Sequence, residues 1–110
     1  MAKARLGELE EQVLLMLMRL DGESYAVPVA YELSRLTGRD VSPATAYMVM
    51  TRLEEQGLLA SSVGTPDPER GGRPRRFYRV VEERALPLLR QSRSAMLALW
   101  DGLEPRLDEG

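Results

Sequence analysis

The stretch from Gly64 to Pro74 holds three Gly and three Pro in eleven residues, a density of turn formers and helix breakers that no helix accommodates. Short runs flank it, Leu58 to Val63 and Phe77 to Val81, the second rich in β-branched and aromatic residues. Segment 58–81 therefore reads as a β-hairpin with a long mobile loop. The rest of the chain is patterned for helix. The expected fold class is mainly α with a small β-hairpin, and 110 residues have room for one core.

Upstream, Leu6, Leu9, Val13, Met16, Leu17 and Leu20 recur at helical intervals. Leu14, Leu15 and Met18 fill much of the remaining circumference, so this first helix is expected to meet a partner as well as its own domain. A second helix of about ten residues follows Asp21-Gly22-Glu23-Ser24, with Pro28 in its first turn, Val29, Leu33 and Leu36 facing inward, and Thr37-Gly38 as its stop. The third helix has the sharpest boundaries. Ser42 reads as its N-cap, Pro43 as N1 and Gly57 as the left-handed residue that closes it. Ala46, Val49, Met50 and Leu53 form its buried stripe, which leaves Pro43, Ala44, Thr45, Tyr47, Met48, Thr51, Arg52 and Glu55 on the outer face.

A last helix starts near Glu82. Leu86, Leu89, Arg93, Met96, Trp100 and Leu103 form a heptad-like seam interrupted by Arg93, and Leu88, Ala95 and Leu99 widen it. Pro87 is expected to kink this helix or delay its start, and Pro105 to end it near Leu103.

The chain contains neither Cys nor His. That removes thiolate zinc sites, disulfides, Ser-His and Cys-His nucleophile pairs and the commonest general base, so the chain reads as no enzyme, with no catalytic residues, metal or cofactor assigned. The longest aliphatic run, Val13 to Met18, is far short of the roughly 18 to 20 residues of a membrane span, and no apolar targeting segment follows the basic start, so the expected location is the cytoplasm, with no membrane partner.

Charge is segregated along the chain. Arg70, Arg73, Arg75, Arg76 and Arg79 place five positive charges on the hairpin with no acid between them, leaving 10 basic against 17 acidic residues elsewhere. Guanidinium offers a planar fork of donors that pairs phosphate oxygens and stays ionised, and a flexible arm can follow a groove. Beside it, helices two and three, joined through Gly38-Arg39-Asp40-Val41, read as a helix-turn-helix whose second helix presents its N-terminal end to base edges, with the hairpin as a wing. On this reading the DNA-facing residues are Ser42, Pro43, Ala44, Thr45, Tyr47, Met48 and Arg52 on the helix, with Arg70, Arg73, Arg75 and Arg76 on the wing. Ser42 has a cap role as its alternative, and Tyr47 half-burial against the wing.

These residues resemble the PadR family of bacterial winged-helix transcriptional regulators. The resemblance is carried by Leu6-Gly7-Glu8-Leu9-Glu10 with Val13-Leu14, by Tyr25-Ala26-Val27, by Gly38-Arg39-Asp40-Val41-Ser42 into Tyr47, Arg52-Leu53-Glu54 and Gly57-Leu58, and by Gly71-Gly72-Arg73-Pro74-Arg75-Arg76-Phe77-Tyr78-Arg79. It covers about residues 6–80 in order and is similar to the short subfamily, in which one C-terminal helix replaces a larger domain. Ala26 replaces a frequent Gly, Met48 stands where Thr is common, and Val81-Glu82-Glu83 lacks the usual Thr-Pro helix start.

The resemblance implies a winged helix-turn-helix DNA-binding domain over residues 1–81, with the wing at about 58–81, and a C-terminal dimerisation helix and tail over 82–110. It implies a homodimeric repressor on a palindromic, double-stranded DNA operator. Its first and last helices would pair through Leu9, Val13, Leu89, Met96, Trp100 and Leu103, which agrees with the apolar excess of both helices. It also implies release by a small aromatic or cationic effector, for which Met16, Met18, Met96 and Trp100 are the candidate lining, with core or dimer packing as their alternative. The competing class is a winged-helix protein-interaction module whose basic arm grips an acidic partner.

Overall fold

A computed structural model describes residues 5–108. Helix α1 (Glu8–Arg19) begins where the Gly7 amide donates to the Glu10 carboxylate at 2.7 Å, the side chain reaching back to an amide that has no helical acceptor. Val13, Leu14, Met16 and Leu17 are buried along it. The chain then reverses through Asp21 and Gly22, both at positive φ, into a two-residue strand β1 (Glu23–Ser24).

Helix α2 (Ala26–Thr37) carries Pro28 in its first turn and ends on Gly38 at φ 73°, a left-handed conformation that costs glycine nothing. Its inward face is Val29, Ala30 and Leu33; Leu36, expected inward, is 48% exposed. The inward stripe stops at Leu33, and the linker turns back onto the next residue of α2: Ser34 Oγ donates to the Val41 carbonyl at 3.2 Å and accepts from the Val41 amide at 3.0 Å. Those bonds hold the linker against the helix, and Val41 is buried while Leu36 is not. Helix α3 (Pro43–Glu55) follows, with Ser42 Oγ accepting from the Thr45 amide at 3.1 Å and Pro43 in its first turn. It closes through Gly57 at φ 79°, with the Leu58 amide donating to the Leu53 carbonyl.

Strands β2 (Leu59–Val63) and β3 (Arg76–Val80) pair antiparallel from Leu59 opposite Val80 to Val63 opposite Arg76. The hairpin was legible in sequence; the third strand was not. Strand β1 pairs with the other edge of β3, giving the order β1-β3-β2 with the returning strand in the middle. The connecting loop is folded rather than open: a 3-10 turn over Pro68–Arg70 is capped by Asp67, whose Oδ1 accepts from the Glu69 amide.

Helix α4 (Glu82–Trp100) starts without delay and runs through Pro87. Pro105 starts an element instead of ending one: Gly102 at φ 82° breaks the chain after α4, and Pro105 lies in the first turn of α5 (Glu104–Asp108), where its missing N–H costs nothing. One core joins α1, α2, α3 and the sheet, with Tyr78 among its largest fully buried side chains, and α4 contributes Ala85 and Leu89 to it. Beyond Leu89 the helix leaves the core almost wholly exposed, drawing the molecule out to 54 Å along its long axis. No helix among the described residues is long and apolar enough to cross a membrane.

Candidate nucleic-acid interface

The α3 register that buries Ala46, Val49, Met50 and Leu53 turns the other face outward, so Pro43, Ala44, Thr45, Tyr47, Met48 and Arg52 are exposed together. Ser42 is exposed as well and is engaged as the cap, with a second hydrogen bond to Thr45 Oγ1 at 3.0 Å. Tyr47 is packed on one side and open on the other. The ring is 46% exposed, yet one side meets Tyr78 of β3 edge to face, with centroids 6.2 Å apart and planes at 76°. Tyr78 in turn places its hydroxyl 3.2 Å from Thr51 Oγ1, so α3 and the wing are joined by an aromatic contact and a hydrogen bond. Burial of that phenol pushes its pKa up from the ordinary 10.0, the Thr51 hydrogen bond opposing in part.

Between the α2 N-terminus, Tyr47 and the wing lies a groove of about 540 Å³, walled by Tyr25, Val27, Tyr47, Arg70, Arg75 and Arg76. Arg70, Arg73, Arg76 and Arg79 are exposed. Arg76 is steered by Ser61, whose Oγ accepts from the guanidinium at 3.0 Å and donates to Glu54 of α3. Arg75 differs from the other four. Its guanidinium pairs with Asp67 and lies 4.8 Å from the centre of the Tyr25 ring, so it is not the free phosphate fork expected of every arginine in the run. Asp67 and Tyr25 are thus residues of the site that sequence reasoning did not single out; Tyr25 was visible only as part of the family pattern.

The profile of the transcriptional regulator PadR-like family matches residues 13–83. The chain belongs to this family. Its members are transcriptional regulators and not enzymes, and they bind DNA. The chain is similar to a PadR family transcriptional regulator from Eggerthella lenta, at 32% identity and a TM-score of 0.65 over 94% of this chain and 88% of that one. A transcriptional regulator from Clostridium thermocellum shares the fold at 20% identity and a TM-score of 0.66, over 84% of this chain and 86% of that one. ZitR from Lactococcus lactis, in a structure in complex with DNA, shares it at 20% identity and a TM-score of 0.58, over 94% of this chain and 64% of that one. No curated protein matches the sequence.

A second surface of this PadR-like regulator lies between α1 and α4. It is an apolar groove of about 400 Å³ lined by Leu15, Met18, Leu86, Met96 and Leu97, with Arg90 and Arg93 at its margin. The expected effector set divides here. Met18 and Met96 line the groove, Trp100 does not, and Met16 is buried in the core where no ligand reaches it. The expected interface set divides likewise. Leu9 is half-buried, and Met96, Trp100 and Leu103 are exposed, whereas Val13 is fully buried in its own protomer and offers no surface to a partner. Leu89 lines the groove as well but is buried, because with Ala85 it docks α4 on the domain.

Proposed function

We propose that this PadR-like regulator binds a palindromic operator as a homodimer and represses transcription by occupying it, with a small aromatic or cationic molecule relieving repression. The observation that carries this reading is the placement of Tyr47, on the exposed outer face of α3, across one groove from the exposed wing arginines Arg70 and Arg76. In the major groove, Thr45 and Tyr47 present hydroxyls to base edges while Pro43 and Ala44 allow close approach to thymine methyls. Arg70, Arg73 and Arg76 supply phosphate contacts that hold the register. Met48 contributes van der Waals contact where a polar group is common.

Residues 1–81 form the reading head and 82–110 the dimer arm. Two reading heads related by a two-fold axis would engage half-sites about 34 Å, or roughly 10 bp, apart. The effector reading rests on the groove between α1 and α4, whose apolar lining suits an aromatic ring.

Fluorescence anisotropy against duplex from the DNA flanking its own gene and against random duplex tests this. Tight binding to the first, with affinity falling steeply as salt rises, is the expected result. Converting both Arg73 and Arg76 to Ala should weaken binding to all sequences and lower the salt slope by about 0.9 for each phosphate left without its arginine. Equal, weak, salt-insensitive binding to both duplexes would sink the proposal.

A further inference from the structure

Arg75 sits at the centre of a contact set that spans three parts of the molecule. Its guanidinium pairs with the Asp67 carboxylate from the wing loop and stacks over Tyr25, the residue that leads into α2, at 4.8 Å. Tyr25 is met from another direction by Phe77 of β3, edge on, with centroids 5.5 Å apart. Asp67 also organises the loop behind it: its backbone carbonyl accepts from the Arg70 and Gly72 amides, and its second carboxylate oxygen caps the Glu69 amide. The Arg75 carbonyl accepts from the Gly64 amide at 2.8 Å, closing the loop at its base. The two side chains are 33% and 18% exposed, less open to water than an ordinary surface pair. Of the set, Tyr25 and Arg75 border the groove between α2, Tyr47 and the wing, while Gly64, Asp67 and Phe77 line a neighbouring pocket that Arg75 shares.

A guanidinium neutralised by a carboxylate and covered by a ring has little left to offer a phosphate. What it does in that position is fix where the loop stands relative to α2, and hence where exposed Arg70 and Arg73 are carried. We propose that Arg75 is a wing-positioning residue rather than a phosphate contact, and that Asp67 and Tyr25 form its clamp. This rests on the DNA-binding reading above and names a division of labour within the same arginine run: Arg70, Arg73 and Arg76 face the ligand, and Arg75 aims the two carried by the loop.

The test compares Arg75→Ala, Asp67→Asn, Tyr25→Leu and Tyr25→Phe, with the Asp67→Asn, Arg75→Ala double variant, in the same anisotropy assay. Unchanged circular dichroism and melting temperature establish that each is folded. Arg75→Ala and Asp67→Asn should each weaken binding to the specific duplex by about tenfold, the double variant no further, as members of one coupled unit do. The salt slope should stay at the wild-type value, and Tyr25→Leu should weaken binding where Tyr25→Phe, which keeps the ring face, does not. A lower salt slope in Arg75→Ala, together with tighter binding in Asp67→Asn, would mean that Arg75 is an ordinary phosphate contact and would overturn the proposal.

Hydrogen exchange in the free protein decides the clamp without DNA. Faster exchange at the Gly64 and Gly72 amides is expected in Asp67→Asn, Arg75→Ala and Tyr25→Leu, and unchanged exchange overturns the proposal. Should wild type itself bind DNA only weakly and without salt dependence, the DNA-binding reading falls while the exchange result still decides the clamp.

Discussion

Tyr78 is 1% exposed, with its ring against Tyr47 and its hydroxyl on Thr51, so the residue that ties the wing to α3 is also part of the core. Burial favours the neutral phenol and raises its folded pKa above 10.0. Below the unfolded value both states hold the proton and stability does not depend on this group. Above it the unfolded state ionises first, and stability falls until the folded pKa is passed. Chemical denaturation should therefore show no contribution of this group below the ordinary phenol pKa of about 10 and a decline above it, beyond the general loss seen in Tyr78→Phe. At neutral pH, Tyr78→Phe should cost about 1 kcal/mol through the missing hydrogen bond. Residue roles were the least legible part of the sequence. Periodicity marked Val13 and Met16 as apolar correctly, but it cannot say which apolar side of an over-apolar helix its own domain takes. The Arg75 to Asp67 pair joins positions eight apart across a folded loop, and an arginine run read along the chain shows no acid within it because the acid lies just outside.

At the scale of elements, the helices followed from local chemistry. Ser42 and Pro43 start α3 as their side chains dictate, and Gly38 and Gly57 end α2 and α3 in conformations a Cβ would strain. Ser42→Ala removes the acceptor of the Thr45 amide. It should lower stability by about 1 kcal/mol in urea titration. Because the frayed turn is the one that would face the bases, it should also weaken specific binding more than random-duplex binding in anisotropy. The elements that were missed are those that local pattern does not encode. Two residues, Glu23 and Ser24, form β1 only because β3 presents a free edge to them. The break at Gly102 that separates α5 from α4 is masked in the pattern, since Trp100 and Leu103 continue the apolar seam across it.

Viewed whole, the protomer is a folded head with an arm. Ala85 and Leu89 anchor α4, and past them Met96, Leu97, Leu99, Trp100, Leu103 and Leu107 are all exposed, an apolar surface out of keeping with a lone chain of 12.4 kDa. A second copy covering that surface is the dimer proposed above. Light scattering at micromolar concentration should give twice 12.4 kDa, and Leu97→Glu should shift the mass toward a single chain. The only tryptophan in the chain, Trp100, is 37% exposed in the protomer, so its emission should move to the red on dilution if it enters the interface and stay fixed if it does not.

The sheet order has a consequence for connectivity. Because β3 lies between β1 and β2 and sends Tyr78 and Val80 into the core, the wing's two strands are held by the sheet and not by the loop that links them. A chain nicked once in that loop, between Pro66 and Gly72, would lose its covalent continuity and keep its sheet. Outside Asp67, whose carboxylate holds Arg75, the loop can be recharged without refolding the sheet, a place where relatives sharing one architecture can diverge in what they recognise.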